Sequence, residues 1–131
     1  MSSEGLRILP SLNGPKETLD RLEAAVTRHG MTIMARIDHG AAAAKAGLEL
    51  RPTVVLFFGN PRAGTPAMQA CPTVAIDLPM RMLIWQDEKG ATWLAYNDPG
   101  WLFRRHGLTD DGTSDVMHDV LASIGGEATG R

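Results

Sequence analysis

The chain has 131 residues, of which 44% are hydrophobic and 21% are charged. This composition is typical of a folded globular domain and excludes an intrinsically disordered chain. Lys and Arg total 13 against 15 Asp and Glu, a net charge of −2 without the clustered basic face that nucleic-acid binding requires. We expect a single domain, with a compact core over residues 6–124 and a frayed tail over residues 125–131.

The cysteine content and the first residues bear on where the protein works. The one cysteine, Cys71, excludes an intramolecular disulfide and a zinc site built from several thiolates. The first residues lack the basic start and apolar stretch of a signal peptide. No apolar run approaches the ~20 residues that span a bilayer. We therefore expect a cytoplasmic protein that does not associate with membranes.

Four elements are predicted in the first third of the chain. Residues 6–9 form a short strand, and residues 15–30 form a helix that starts with Pro and ends at Gly. Residues 31–38 alternate apolar and polar side chains, which predicts a half-buried strand. Residues 41–46 form a short Ala-rich helix. The apolar face of the second strand would carry Met31, Ile33, Ala35 and Ile37.

The segment 53–58 is an uninterrupted run of β-branched, aliphatic and aromatic residues. Such a run predicts a central strand buried on both faces, with a buried helix segment as the alternative that periodicity alone leaves open. Residues 59–66 hold two Gly and two Pro, which predicts a loop. Thr65 and Pro66 would then cap and start a short helix over residues 67–71.

The second half of the chain predicts a hairpin followed by two helices. Residues 80–86 and 91–96 alternate and are joined by a polar turn that ends in Gly, which is typical of a β-hairpin. Asp98 and the Pro that follows it predict a helix start. The last helix would run over residues 114–124 and end at Gly125. The pattern of residues 73–79 is ambiguous, because Val74, Ile76 and Leu78 alternate but Pro79 ends the segment.

These elements predict an α+β fold with a single, mostly antiparallel sheet of four or five strands. The helices over residues 15–30 and 114–124 would cover one face of the sheet. The other face would be covered in part by loops or by a second subunit. An exposed stripe that includes Trp85, Trp93 or Tyr96 would need such cover.

Motifs that would identify a reaction are absent from the sequence. Gly59 and Gly64 have the spacing of P-loop glycines, but Thr65 and Pro66 stand where that motif needs Lys and Ser or Thr. We therefore predict no nucleotide binding. The His and carboxylate residues show no diagnostic metal-ligand spacing, so no metal and no cofactor is predicted. Cys71 has no base defined by sequence and is predicted to be inert.

One constellation of polar and aromatic residues remains, because its members lie along or at the ends of predicted strands. If those strands share one sheet, these residues line one cleft that binds a small polar or anionic molecule. The alternative is that they form structural ion pairs, such as Arg36 with Asp98 or Arg81 with Asp38, and that the aromatic rings cover the sheet. The candidate ligand-binding residues are Arg36, Asp38, His39, Asn60, Arg81, Trp85, Tyr96 and Asp98.

Several linked motifs resemble the family called domain of unknown function 302, in the same order along residues 15–108. They are residues 35–39, 47–53, 58–66, 75–79, 83–87 and 96–99. The resemblance implies a compact bacterial-type α+β fold that commonly forms homodimers. It implies no activity and supplies no catalytic residue.

Three functional hypotheses follow. The first is a homodimeric, non-enzymatic module that binds a small ligand. The second is a small hydrolase or isomerase that uses Asp38 with His39, or Asp98 with His106, as acid and base. The third is a structural module that binds another protein.

Overall fold

A computed structural model describes residues 3–130. The described strands are β1 (Leu6–Pro10), β2 (Thr32–Asp38), β3 (Thr53–Gly59), β4 (Met80–Gln86) and β5 (Thr92–Asn97). The α-helices are α1 (Pro15–Arg28), α2 (His39–Lys45), α3 (Pro61–Ala70), α4 (Pro99–His106) and α5 (Thr113–Thr129). A 3-10 helix (Pro72–Asp77) lies between α3 and β4. None of the helices in this part of the chain is both long and apolar enough to cross a membrane.

The strands form one sheet in the order β1-β5-β4-β3-β2, and every neighbouring pair is antiparallel. The middle strand is therefore β4, and β1 and β2 are the edges. This architecture confirms the predicted α+β class and the single antiparallel sheet. The predicted hairpin is also present, because β4 pairs directly with β5.

The core lies between one face of the sheet and the two long helices, α1 and α5. We call this side of the sheet the helix face. Side chains that alternate along β3, β4 and β5 meet apolar residues from both helices here, so the pleat of each strand directs every second residue into the core. The fully buried members of this core are Leu22, Val26, Leu56, Phe58, Met82, Ile84, Leu94, Leu121 and Ile124.

The opposite side of the sheet, which we call the open face, is mostly apolar and only partly covered. In β3 and β4, every residue on this face is half-buried, including Val55, Phe57, Leu83 and Trp85. The prediction that residues 53–58 are buried on both faces is therefore wrong. The run is a strand, but it is second from an edge and its burial alternates because α1 and α5 cover the helix face.

Strand β2 differs from its predicted pattern in two ways. A register shift at Met34 places Ile33 opposite Phe58, on the helix face, and Ala35 opposite Phe57, on the open face. A β-bulge of this kind adds a residue and reverses the facing of everything that follows, so the predicted common face for Ile33, Ala35 and Ile37 is wrong. All seven residues of β2 are exposed, because the strand lies at the edge of the sheet.

The segment predicted as a loop is largely helical. Helix α3 begins at Pro61, where the Asn60 side chain accepts a hydrogen bond of 3.0 Å from the Arg62 backbone N–H. A side-chain cap followed by Pro at the first position is a strong start signal. Pro66 lies inside α3 and does not begin it. The segment of unclear pattern forms the 3-10 helix.

Helix α5 continues past its predicted end at Gly125 to Thr129, so the prediction of a frayed segment there is wrong for these residues. Gly125, Ala128 and Thr129 are buried, and the Thr129 hydroxyl donates to the Gly125 carbonyl at 2.8 Å. A Cβ on Gly125 would lie 3.1 Å from Cδ1 of Leu9. The glycine therefore allows a close approach of α5 to the sheet instead of ending the helix.

Candidate functional site

The eight predicted ligand-binding residues lie at both ends of the sheet. Strands β3 and β5 run in the same direction, so Asn60 and Asp98, which follow them, lie at one end. Strand β2 runs antiparallel to β3, which places Asp38 and His39 at the other end. A single cleft cannot include both groups.

The same residues also divide between the two faces of the sheet. Arg36 lies on the helix face and forms an ion pair with Glu23 of α1. Tyr96 is 5% exposed within the core, where burial raises its pKa. Arg81 and Trp85 lie on the open face. The predicted arrangement in one cleft is therefore wrong, because alternation along strands and strand direction separate the eight side chains.

Three of the predicted residues are helix caps. The side chains of Asp38, Asn60 and Asp98 accept hydrogen bonds from backbone N–H groups at the starts of α2, α3 and α4, at 2.8–3.0 Å. Asp98 also pairs with Arg7 at 3.2 Å. Because these oxygens already satisfy helix starts or a cation, their positions are explained by the fold. Neither predicted ion pair, Arg36 with Asp98 or Arg81 with Asp38, is formed.

Arg81 is the polar anchor of the open face. It is the only charged residue on this face within the described strands. Its guanidinium lies over the Phe57 ring, 4.8 Å from the centroid, and one Nη donates to the Pro79 carbonyl at 3.3 Å. Its Nε is buried and has no hydrogen-bond partner within residues 3–130. An arginine held in this way keeps donors available for an anion.

An aromatic pair lies on the same face, four residues along β4 from Arg81. Trp85 and Trp93 are cross-strand partners whose rings stack with centroids 6.3 Å apart and an interplanar angle of 21°. The Trp93 indole N–H donates to Asp87 at 2.9 Å. This hydrogen bond is the main reason that the pKa of Asp87 lies below its ordinary value. The open face therefore combines an apolar wall, a fixed aromatic stack and one cation.

A second polar group, which the sequence did not reveal, lies between the 3-10 helix and α4. We call it the His106 cluster, and its members are Cys71, Thr73, Asp77, Arg105 and His106. His106 contacts Asp77 at 2.6 Å and Thr73 at 2.9 Å through its two ring nitrogens. No sequence signal could have joined these residues, since the pattern of residues 73–79 is ambiguous and His106 lies 29 positions beyond Asp77.

The acid-base pairs that we predicted are not formed in the expected way. Asp98 caps the start of α4 and His106 is its last residue, so the helix separates them by about 12 Å. The carboxylate that contacts His106 is Asp77 instead. His39 is exposed next to Asp38, which caps α2. Within the described residues, no group of three or more His, Cys, Asp or Glu side chains could hold a metal ion.

Comparison with curated proteins finds relatives that are longer than this chain. Proteins named fluoride-specific ion channel FluC 1, from Brucella suis and Brucella abortus, are each 46% identical over 125 residues. The match covers 95% of this chain but only 48% and 46% of those proteins. The chain therefore spans about half the length of the curated relatives it matches, and their name describes the whole proteins.

Comparison with solved structures and family models addresses the fold. A crystal structure of an uncharacterized conserved protein DUF302 from Bacillus stearothermophilus superposes with a TM-score of 0.81 at 20% identity. The superposition covers 96% of this chain and 99% of that one, so the two share a fold. A family model described as domain of unknown function DUF302 matches residues 8–124.

Proposed function

The chain belongs to the DUF302 family, and we propose that it is a homodimeric module that binds a small anionic molecule at its open face. The observation that carries the proposal is the composition of this face. It is a half-buried apolar surface that contains one cation, Arg81, whose Nε is buried without a hydrogen-bond partner in the described chain. A second subunit would cover the apolar part of this surface, and an anion would compensate the charge of Arg81.

The size of the open face supports an interface that reaches the sheet edge. Five strands spaced about 4.8 Å apart and about 20 Å long offer on the order of 400 Å² of flat surface. A standard interface buries about 800 Å² on each partner. The proposed interface therefore uses the whole open face, including β2, where Met34 is 46% exposed and Ile37 is 44% exposed, and extends beyond the sheet. The methyl group of Met34 also reaches the open side, within 4.0 Å of where a Cβ on Gly59 would lie.

The surroundings of Arg81 support an anionic ligand. A guanidinium that becomes buried between two subunits loses its hydration and is costly unless a negative group compensates it. The Phe57 ring offers about 0.5–2 kcal/mol of cation–π attraction, which is less than this cost. The open-face strand residues supply no carboxylate. A ligand carboxylate or phosphate that accepts from the Nη groups of Arg81 would supply the missing charge.

Dimerisation is tested by sedimentation equilibrium of wild type, Leu83→Lys and Ile37→Lys. We expect a dimer for wild type and monomers for both variants, because each places a charge on the proposed interface. Val116→Lys is the matched control, because Val116 is 64% exposed on α5 and far from the open face. It should remain a dimer. A wild type that stays monomeric at every concentration, or a control that dissociates like the variants, would refute the interface.

Ligand binding is tested by native mass spectrometry of protein purified from its own cells. We expect wild type to retain a small molecule that Arg81→Gln has lost. Arg62→Gln is the control, since Arg62 is exposed on α3, and it should retain the molecule. The absence of any bound mass on wild type, or equal retention by Arg81→Gln, would contradict the ligand proposal while leaving the dimer to be judged by sedimentation.

The Brucella relatives favour a second candidate function. Nearly all of this chain matches about half of proteins named as fluoride-specific ion channels. The matched half of those proteins is therefore a candidate for a domain that serves a channel. We therefore propose, as the second candidate, that this domain works with an anion channel and binds its ion at Arg81.

Fluoride binding is the direct test of this second candidate. In a ¹⁹F NMR titration with sodium fluoride, wild type should broaden or shift the fluoride line in a saturable way. Arg81→Gln should abolish the effect and Arg62→Gln should preserve it. A fluoride line that is unchanged by wild type protein would eliminate fluoride as the ligand.

A further inference from the structure

We infer that the His106 cluster is a nucleophilic site that cleaves small carboxylic esters, with Thr73 as the nucleophile and His106 as the base. The site does not depend on the open face or on a dimer. It is built from two elements, because the 3-10 helix carries Thr73 and Asp77 and the last turn of α4 carries Arg105 and His106.

The base is fixed in one orientation by a carboxylate that is mostly buried. His106 Nε2 lies 2.6 Å from Asp77 Oδ2, and the two side chains are 7% and 14% exposed. Arg105 Nη1 lies 2.8 Å from each oxygen of Asp77, which holds the carboxylate in place. An ionised Asp77 accepts the Nε2 hydrogen and so leaves the lone pair on Nδ1. Asp77 and Arg105 are therefore positioning residues, and His106 is the group that moves a proton.

The nucleophile lies at the free ring nitrogen. Thr73 Oγ1 is 2.9 Å from His106 Nδ1, within the range for proton transfer. Thr73 is exposed, whereas His106 is nearly buried, so an incoming substrate meets the hydroxyl first. The contacts of Asp77 with Arg105 and His106 are enough to hold the 3-10 helix against α4. This packing does not require a hydroxyl at the solvent side of the ring.

Cys71 lies next to this arrangement but does not occupy the position of the nucleophile. Its Sγ is 3.4 Å from Thr73 Oγ1, and its thiol donates to the His106 backbone carbonyl at 3.3 Å. The thiol hydrogen is therefore directed at a peptide oxygen and not at the imidazole. The geometry favours the oxygen nucleophile over the sulfur one.

The reaction that these positions allow is two-step ester hydrolysis. Thr73 Oγ1 bonds to the ester carbonyl carbon as its proton passes to His106 Nδ1. The carbon–oxygen bond to the alcohol then breaks, and the leaving oxygen takes that proton. Water next attacks the acyl-threonine with His106 again as base, which releases the carboxylic acid and restores the Thr73 hydroxyl. No oxidation or reduction is involved.

A fluorophosphonate probe tests the nucleophile directly, because it forms a stable bond with activated hydroxyl groups and releases fluoride. We expect intact-mass and peptide analysis to locate one adduct on Thr73 of wild type. Thr73→Val should abolish labelling and should fold, since Thr73 is exposed. Thr65→Val, which changes an exposed threonine of α3, is the matched control and should label as wild type does.

The positioning role of Asp77 is tested by the rate of labelling. Asp77→Asn keeps a hydrogen-bonding group but favours the wrong imidazole tautomer, so labelling should slow at least about tenfold, and Asp77→Glu should recover part of the rate. A structural role alone would shift the thermal midpoint of these variants without separating their labelling rates. An unlabelled Thr73 in folded wild type, an adduct on Cys71 instead, or an equal loss in Thr65→Val would overturn the inference.

Discussion

Asp87 shows how a single side chain organises the turn between β4 and β5. One carboxylate oxygen accepts from the backbone N–H groups of Lys89 and Ala91, each at 2.9 Å. The other oxygen accepts from the indole of Trp93 at 2.9 Å. The residue therefore joins the polar turn to the aromatic stack of the open face.

These contacts predict how stability depends on pH. The hydrogen bond from Trp93 is the largest cause that lowers the pKa of Asp87 below 3.8 in the folded protein. Because the folded pKa is depressed, the stabilisation is present above pH 3.8 and is lost as the pH falls through the folded value. Asp87→Asn should therefore lose less unfolding free energy than wild type between about pH 6 and pH 3.

Urea unfolding at several pH values measures this difference. Glu88→Gln is the control, because Glu88 is an exposed neighbour in the same turn, and its acid dependence should match that of wild type. The prediction fails if Asp87→Asn loses stability on acidification as steeply as wild type does.

At the level of elements, helix α3 depends on its cap more than on packing. None of its residues is buried, and it contains Pro66. Asn60→Ala removes the side-chain bond to the first turn, a loss that typically costs about 0.5–2 kcal/mol. Because α3 contributes no residue to the core, this cost should appear as local opening.

Hydrogen exchange of the Asn60→Ala variant tests this prediction. Amides of α3 should exchange faster, whereas those of β3 and β4 should be unchanged. Gln69→Ala, an exposed change in the same helix, should leave exchange in α3 as it is. Faster exchange throughout the sheet would show that α3 and the core open together.

Helix α5, in contrast to α3, depends on tertiary packing, which decides its length. Gly125→Val would force side-chain atoms into Leu9 and Leu94, which lie 3.1 and 3.6 Å from the Cβ position. Such overpacking typically costs about 1–3 kcal/mol of unfolding free energy. Ser123→Val, at an exposed position of the same helix, should cost clearly less in denaturant unfolding. Equal costs would mean that helix propensity, and not the close approach, sets the effect.

At the scale of the whole molecule, the uneven cover of the sheet has a thermodynamic consequence. One face is closed by α1 and α5, and the other leaves half-buried apolar residues over β3 and β4. If the open face is the subunit interface that we propose, association stabilises the folded state by mass action. The thermal midpoint of wild type should then rise with protein concentration, whereas that of Leu83→Lys should stay constant.

Differential scanning calorimetry over a hundredfold range of concentration checks this expectation. Val116→Lys should behave as wild type does, since its exposed position lies on α5. A wild-type midpoint that does not depend on concentration would argue against a dimer coupled to folding.

The local sequence signals were sufficient for most elements and for the class of the fold. Alternation predicted the hairpin, and the apolar stripes predicted that the two long helices cover one face of the sheet. The Asp98 cap and the Pro after it correctly predicted the start of α4. These signals work because caps, turns and amphipathic periodicity act between residues that lie within a few positions of each other.

The site could not be predicted in the same way. Asp38 and Asn60 both end strands, yet strand direction places them at opposite ends of the sheet, and alternation places Arg36 and Arg81 on opposite faces. The Asp77 contact with His106 joins residues 29 positions apart. Such pairings depend on strand order and on helix docking, which no local signal encodes.

The sequence by itself therefore determined most of the strands and helices, their antiparallel association and the family resemblance. Tertiary structure alone decided where the Met34 bulge reverses the facing of β2, why α5 continues through Gly125, and which polar groups meet. The physical reason is the range of the interactions. Secondary structure follows from neighbours along the chain, whereas a site forms where distant segments pack against a common core.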